Sequence, residues 1–419
     1  MINDKKPRIL VVTVNSWNSK VGDNTFSTLL DGYPKDNIAS LFIREDEPDS
    51  KACNKYFRIS ESAIIKSIIK PSTITGQKVD GIARNNSKIL SSISNVYKNK
   101  KGILYYPKLM IREIIWALGK WKSKELNVFV DEFQPDIVLY EMSRYIHLNR
   151  IARFIVKRTG ARGIGCFWDD TFTYKQEKSL GYKSLRFFQR RNLKKLAAVT
   201  NSFFAITPKT KREADQFFGI NSVVLTKPIL VDNCHEYEGV HAPIKMLYTG
   251  NLGIGRVDTV KLLIQELLKT DKFYLDIYTN TQLSQKDFDD LNTGVSCVHE
   301  AVQQSEVLEL QSQSDVLIFV ESLEDDNKIA RLSFSTKITD YYSAGRCILA
   351  IGNPDLAPIE LMKESDSAIV VCSIVELQKK IEEIDNNTIA LYAKKASVEG
   401  KKNHSINAIR TTFYSSIFK

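Results

Sequence analysis

The sequence predicts an α/β protein of two domains, each a mostly parallel sheet with helices on its faces. Three observations carry this expectation. Short apolar runs of strand length alternate with segments of helical period from Ile9 to Val371. The chain has 419 residues, more than one hydrophobic core usually holds. The alternation breaks once, around Val224–Cys234, where Lys227-Pro228 interrupts it.

In the first half, strands are expected at Ile9–Val14, Ile38–Ile43, Ile137–Tyr140, Gly163–Phe167 and Phe203–Ile206. Pro135-Asp136 marks the entry to the third, after a helix ending near Phe133. Ile146–Thr159 reads as a basic helix closed by Gly160, a residue free to turn left-handed. In the second half, strands are expected at Met246–Thr249, Tyr274–Tyr278, Val295–Val298, Val316–Val320, Cys347–Ile351 and Ala368–Val371. Helices fit between them at Thr259–Leu268, Glu306–Gln313, Ile338–Ala344 and Ile374–Ile384. No internal repeat or low-complexity tract appears.

Composition narrows the class. A 43% hydrophobic and 26% charged balance is that of an ordinary globular chain. No segment approaches the ~18 uninterrupted apolar residues of a membrane span, and Met1–Lys6 runs into a strand without a signal-peptide core. Six cysteines at 53, 166, 234, 297, 347 and 372 form no C-x-x-C pair, which points to reduced, cytosolic thiols rather than a zinc site or a disulfide framework. Residues 1–235 hold 40 Lys+Arg against 22 Asp+Glu, and residues 236–419 hold 19 against 27. The basic half is expected to meet a polyanion, an anionic membrane surface or a pyrophosphate-bearing acceptor. Nucleic acid is not expected, because no RNP, zinc-finger or basic-zipper pattern is present. Neither G-x-S-x-G nor H-E-x-x-H occurs, which argues against serine hydrolase and zinc protease chemistry.

The run from Ser333 to Ala350 (Ser-Phe-Ser-Thr-Lys-Ile-Thr-Asp-Tyr-Tyr-Ser-Ala-Gly-Arg-Cys-Ile-Leu-Ala) is the most informative. It reads as a polar loop, a short helix stopped by Gly345, and a buried strand. Ser335, Thr336 and Lys337 would present hydroxyls, backbone N–H groups and a cation at a helix N-terminus, a site for phosphate oxygens. A lysine there otherwise opposes the helix dipole. Asp340, on the first turn, is within reach of a ribose or sugar hydroxyl. The second motif is Leu247–Arg256, where a strand delivers a turn with Gly250, Asn251 and Gly253, then Arg256. Glycine lets backbone approach a diphosphate closely, and arginine can neutralise it in a fork.

These two motifs resemble the donor-binding signatures of GT-B glycosyltransferases, in particular the family-4-like retaining enzymes that use nucleotide sugars. The resemblance implies two Rossmann-like domains facing across a cleft. Residues 1–228 would bind the acceptor, residues 229–403 the nucleotide sugar, and residues 404–419 would form a helix returning to the N-terminal domain. It implies that Gly250, Asn251, Gly253, Arg256, Ser335, Thr336, Lys337 and Asp340 bind the donor. Asn251 stands where the family has its first arginine, and Arg256 where it has a lysine. Asp340 matches the second glutamate of the family's Glu-x7-Glu motif, while the first falls on Leu332. Glu321, Glu324 or Asp325, in the acidic run Glu321–Asp326, are the alternatives to that missing carboxylate, although an acidic run is also ordinary solvated loop. The resemblance implies no bound metal and no cofactor beyond the donor itself.

In the N-terminal half, Cys166–Thr171 ends a strand with Asp169 and Asp170. One of them is the first candidate for acceptor activation or donor-hydroxyl contact, the alternative being an N-cap pair. Glu141, after the strand Ile137–Tyr140, is the second candidate. Asn15, Gly22 and Asn24 lie in the loop after the first strand, where relatives meet the donor phosphates or the acceptor; a capped helix start at Asn24 is equally expected. His299 follows a strand where base contacts would lie. Tyr97–Lys124 mixes cations with Tyr105, Tyr106, Ile111, Ile115, Trp116, Leu118 and Trp121, the pattern of an interfacial membrane element or of a core helix with a basic face; Ile59–Ile69 is a weaker candidate.

The expected activity is transfer of a hexosyl or related sugar from a nucleoside diphosphate sugar to a hydroxyl. The acceptor would be a lipid-linked glycan of bacterial surface polysaccharide assembly, met at the inner face of the cell membrane. The alternatives are a nucleotide-sugar epimerase and a non-catalytic scaffold of the same fold.

Overall fold

The computed structural model describes residues 6–18, 25–79, 105–230, 237, 239–325 and 330–418. By contacts the chain divides into two compact units. One comprises Met1–Ala205, Glu213–Val223 and Ser416–Lys419, the other Ile206–Arg212 and Val224–Ser415.

The chain runs β1 (Ile9–Val12), α1 (Thr25–Leu29), β2 (Ile38–Phe42), β3 (Lys55–Ile59), α2 (Glu61–Ile69), β4 (Gly76–Val79), α3 (Tyr105–Leu118) and α4 (Lys124–Phe133). It continues through β5 (Ile137–Glu141), α5 (Ile146–Thr159), β6 (Arg162–Phe167), α6 (Leu180–Ala197), β7 (Ser202–Ala205), α7 (Pro208–Phe218) and β8 (Val223–Val224). The first sheet has the order β4-β3-β2-β1-β5-β6-β7-β8. Its central strands are buried apolar runs, as expected of a parallel sheet covered on both faces. β4 pairs antiparallel with β3 at the sheet edge. Register places Val12 beside Tyr140 and Glu141 beside Cys166, so the carboxyl ends of β1, β5 and β6 lie level. The last residues of the chain also belong here. The Ile417 carbonyl accepts from Arg162 at 3.2 Å, and Phe418 stacks on Tyr33 at 6.1 Å.

The second half runs β9 (Ile244–Thr249), α8 (Arg256–Leu267), β10 (Phe273–Thr279), α9 (Gln285–Leu291), β11 (Ser296–Glu300), α10 (Gln304–Ser312) and β12 (Val316–Val320). Then come α11 (Thr336–Ala344), β13 (Cys347–Ile351), α12 (Ala357–Glu364), β14 (Ile369–Val371), α13 (Ile374–Glu383), α14 (Asn386–Glu399) and α15 (Ile406–Ile417). The sheet order is β11-β10-β9-β12-β13-β14, parallel throughout. β9 and β12 sit at its centre, where the strand order reverses. That is the place where open α/β sheets bind ligands, at the carboxyl ends of the strands. The core packs Met246, Tyr248, Ile318, Val320, Leu349 and Ile351 against Val260, Leu263 and Ile264 of α8.

Among the described residues no helix is long and apolar enough to cross a membrane.

Candidate donor site and the strand-end cavity

In the second unit, β9 delivers Tyr248 and then Gly250, whose φ of 126° favours glycine. Space matters as much as conformation there. A Cβ on Gly250 would lie 2.5 Å from both Cε and Nζ of Lys337, so the tip of the lysine occupies the room a side chain would need. Lys337 is the second residue of α11, which begins after Ser335 with extended backbone and no side-chain cap. First-turn N–H groups of a helix have no partner within it, so this end is disposed towards an anion. The Lys337 ammonium lies 4.5 Å from the centroid of the Tyr248 ring and 3.4 Å from its hydroxyl. Burial pulls its pKa from 10.5 to about 8, helped by the Arg256 charge and opposed by Glu321.

Arg256 opens α8 directly after Gly255, which has a φ of 75°. Its guanidinium forms a bidentate pair with Glu321: Nε to Oε2 at 3.1 Å, and Nη2 to Oε1 and Oε2 at 2.9 and 2.8 Å. The side chains are 16% and 6% exposed, so the pair is held out of water. Glu321 sits just past the end of β12, the position the acidic run was expected to take. Asp325, further along, accepts from Asn353 Nδ2 at 2.9 Å, and Asp326 lies outside the described residues. Leu332, where the signature has its first glutamate, is fully buried.

Asn251 has a local job. Its Oδ1 accepts from Gly253 N at 2.7 Å and closes the turn, while its carbonyl accepts from the Tyr248 hydroxyl at 2.8 Å. Asp340 is on the same helix as Lys337, and burial pushes its carboxyl up to about 6 against a hydrogen bond from Gln304. The structure therefore brings Gly250, Arg256 and Lys337 together around Tyr248 and Glu321. Ser335 and Thr336 lie at the adjoining helix start, and Asp340 faces Gln304. Tyr248 was not singled out from sequence; its only signal is its place two residues before Gly250. His299 lies within β11 rather than after a strand, stacked on Tyr278 at 4.5 Å and 2.7 Å from Asp276 Oδ1.

In the first unit, Asn15 and Glu141 line one small cavity with Trp17, Phe26 and Trp168, at the level carboxyl ends of β1, β5 and β6. The Asn15 Oδ1 is buried there without a hydrogen-bond partner. The two aspartates after β6 part company. Asp169 is exposed, whereas Asp170 is 3% exposed and caps a turn, accepting from Thr173 N at 2.9 Å and from the Thr173 hydroxyl. Gly22 and Asn24 lie outside the described residues. Among the described residues no three of His, Cys, Asp or Glu gather as metal ligands would.

No protein-family model matches this sequence, and no curated protein matches it. Solved structures do match by shape. A glycosyltransferase from Rickettsia africae aligns with a TM-score of 0.56 at 13% identity, covering 97% of this chain and 96% of its own. HepE of Anabaena, in complex with UDP, gives 0.59 at 9% identity over 98% and 99%. A UDP-GlcNAc 2-epimerase from Neisseria meningitidis, bound to UDP-GlcNAc, gives 0.52 at 12% over 98% and 99%. At such identities the likeness speaks for the fold.

Proposed function

The chain has the GT-B glycosyltransferase fold, an α/β architecture of two parallel-sheet domains, and from that premise we propose that it is a nucleotide-sugar-dependent glycosyltransferase. The observation that carries the reading is Lys337, a desolvated cation wedged against Gly250 where β9 ends and α11 begins. A half-buried ammonium without a contacting carboxylate is costly unless an anion arrives. A diphosphate is the anion that fits a glycine turn, a helix N-terminus and a lysine together.

In the proposed reaction the bond from the sugar's anomeric carbon to the diphosphate breaks and a bond to an acceptor hydroxyl oxygen forms. The nucleoside diphosphate leaves with the electron pair. Lys337, Ser335, Thr336 and the first-turn N–H groups of α11 stabilise the charge that develops on it. Asp340 holds the ribose, as the signature implies, and Gly250, Asn251 and Gly253 shape the loop against the phosphates. Arg256 stands beside the phosphates already paired with Glu321, whose two carboxylate oxygens it occupies. Asp169 or Glu141 takes the acceptor proton, and Asn15 contacts the acceptor. Asp170 is a weaker candidate because its carboxylate is committed to Thr173. Retention of anomeric configuration follows from the resemblance, and the donor phosphates need no metal or further cofactor. We place the protein in the cytoplasm, at the inner face of the membrane, acting on a lipid-linked glycan for surface polysaccharide assembly.

The Neisseria epimerase gives one reason to keep a second reading. Such chemistry calls for acid/base pairs around the sugar, and the described histidines are engaged elsewhere. His147 stacks on Trp116, His241 meets Asp315, His299 meets Asp276, and His404 stacks on Phe334. A panel of UDP, GDP, ADP, CMP and their common sugars, read by thermal shift, comes first, with UDP foremost because HepE was solved with it. The nucleotide sugar that binds is then incubated with and without lipid-linked acceptors. A glycosylated acceptor supports transfer, an epimerised sugar supports the rival, and no nucleotide response at millimolar concentration leaves the scaffold reading.

A further inference from the structure

Among the described residues, the first unit carries an apolar face turned to solvent. α6 exposes Leu180 (81%), Phe187 (53%) and Phe188 (49%), which with Tyr174, Lys183 and Ser184 line an open groove. α3 packs beside it, Tyr106 resting on Gly181 and Tyr182, and exposes Ile111, Ile114 and Leu118 at helical spacing. α2 packs on α3 through the Glu61–Arg112 pair, both hydrogen bonds 2.6 Å, and exposes Ile65, Ile68 and Ile69. Three neighbouring helices thus each turn a row of large apolar side chains to solvent. Large apolar side chains exposed on successive packed helices are the mark of an interaction surface.

The aromatic residues that suggested a membrane element from sequence do not belong to it. Trp116 is fully buried and stacked on His147 at 4.3 Å, and Trp121 is 5% exposed against Phe154. The rings that face outward are Phe187 and Phe188, on a helix sequence alone did not implicate.

Charge identifies the partner. α6 carries Lys183, Arg186, Arg190, Arg191, Lys194 and Lys195 and no acidic residue. Lys183, Arg191 and Lys195 are exposed, as are Lys108 on α3 and Lys66 and Lys70 beside the α2 row. The acids on these helices are spoken for: Glu61 by Arg112, and Glu113 by the backbone N–H groups of Ile146 and His147. Exposed isoleucine, leucine and phenylalanine interspersed with unopposed cations match an anionic lipid surface, which takes the apolar side chains below its headgroups and the cations at them. We propose that α2, α3 and α6 form a membrane-docking face for anionic lipid, with Phe187 and Phe188 as its inserting rings. The inference deepens the proposal of a lipid-linked acceptor and rests on it for its purpose, but vesicle binding is measured without any sugar transfer.

The test is sedimentation with vesicles of equal phosphatidylglycerol and phosphatidylcholine, against pure phosphatidylcholine. Wild type should bind the anionic vesicles, weaken as salt rises, and ignore the neutral ones. Phe187→Ser with Phe188→Ser should lower partitioning by about tenfold or more. Replacing Lys183, Arg191 and Lys195 with Gln should lower it by roughly fivefold per cation. An unchanged melting midpoint and nucleotide response show that the variants remain folded. Absence of binding to anionic vesicles, or binding that neither set of replacements reduces, overturns the proposal. So does a concentration-dependent dimer that the Phe replacements dissolve, which would assign the face to a second copy of the chain. A failed nucleotide panel alongside intact vesicle binding would sink the transferase reading alone.

Discussion

Replacing Lys337 with Met should make the second unit more stable and blind to nucleotide. Met keeps most of the length that fills the space beside Gly250 but removes the ammonium. The fall of the lysine pKa from 10.5 to about 8 corresponds to about 3 kcal/mol held against the folded state. The side chain is half-buried, and the cation–π contact with Tyr248 is lost in the variant, so about 2 kcal/mol of net stabilisation remains. That is a rise of about 4–8 °C in the midpoint of the unit. Because the folded pKa is lowered, the unfolded chain binds more protons between about 8 and 10.5, and wild type gains stability as pH rises through that window. The advantage of the variant is therefore full at pH 7 and fades towards pH 10.5. Nucleotide at about one hundred times its Kd would add about 2.7 kcal/mol to wild type and little to the variant. The two melting curves should cross: variant higher when free, wild type higher when liganded. Scanning fluorimetry at pH 7 and pH 10, with and without nucleotide, reads all four states. A variant that melts below wild type at pH 7 refutes the desolvation argument. One that responds to nucleotide like wild type refutes the phosphate role.

Nucleotide affinity should be bell-shaped in pH. It falls below about 6 as Asp340 takes a proton and loses its acceptor charge, and above about 8 as Lys337 loses its own; titration calorimetry on Asp340→Asn should show the acid limb gone. Glu321→Gln leaves a largely buried guanidinium uncompensated, a loss of about 3–5 kcal/mol by chemical denaturation. The same change should move the alkaline limb to lower pH, since Glu321 raises the Lys337 pKa; a limb that stays put would separate the two groups. Asp170→Ala should lower the melting midpoint by removing a buried turn cap, about 1–3 kcal/mol, with KM for the acceptor little changed. Asp169→Asn should do the reverse, lowering kcat with the midpoint intact.

In the second sheet β12, β13 and β14 were the most legible, because they are unbroken apolar runs, and Val316–Val320 and Cys347–Ile351 match the structure to the residue. β3 and β4 were missed for a physical reason. Lys-Tyr-Phe-Arg-Ile mixes exposed charge with core, and Gly-Gln-Lys-Val holds no apolar pattern; β4 is a strand only because β3 supplies its hydrogen bonds. At the candidate donor loop, sequence singled out the glycines and the lysine, which the structure brings together, but not the pairing beside them. Arg256 and Glu321 are 65 residues apart, and only folding shows that the guanidinium is already engaged. Trp116 and Trp121 show the same limit, since helical period cannot distinguish an apolar face turned to protein from one turned to lipid.

The division of the chain bears on how the protein is made. Its first unit is not finished when residue 223 is synthesised, because Ser416–Lys419 belong to it and are translated only after the entire second sheet. Until then Arg162 lacks the carbonyls of Ser416 and Ile417, and Tyr33 lacks its stacking partner. A nascent chain halted at the unit boundary, or a fragment cut there, holds every strand of the first sheet but lacks these contacts. The second unit is interrupted in its turn, since Ile206–Arg212 belong to it, so neither unit is one continuous stretch of chain.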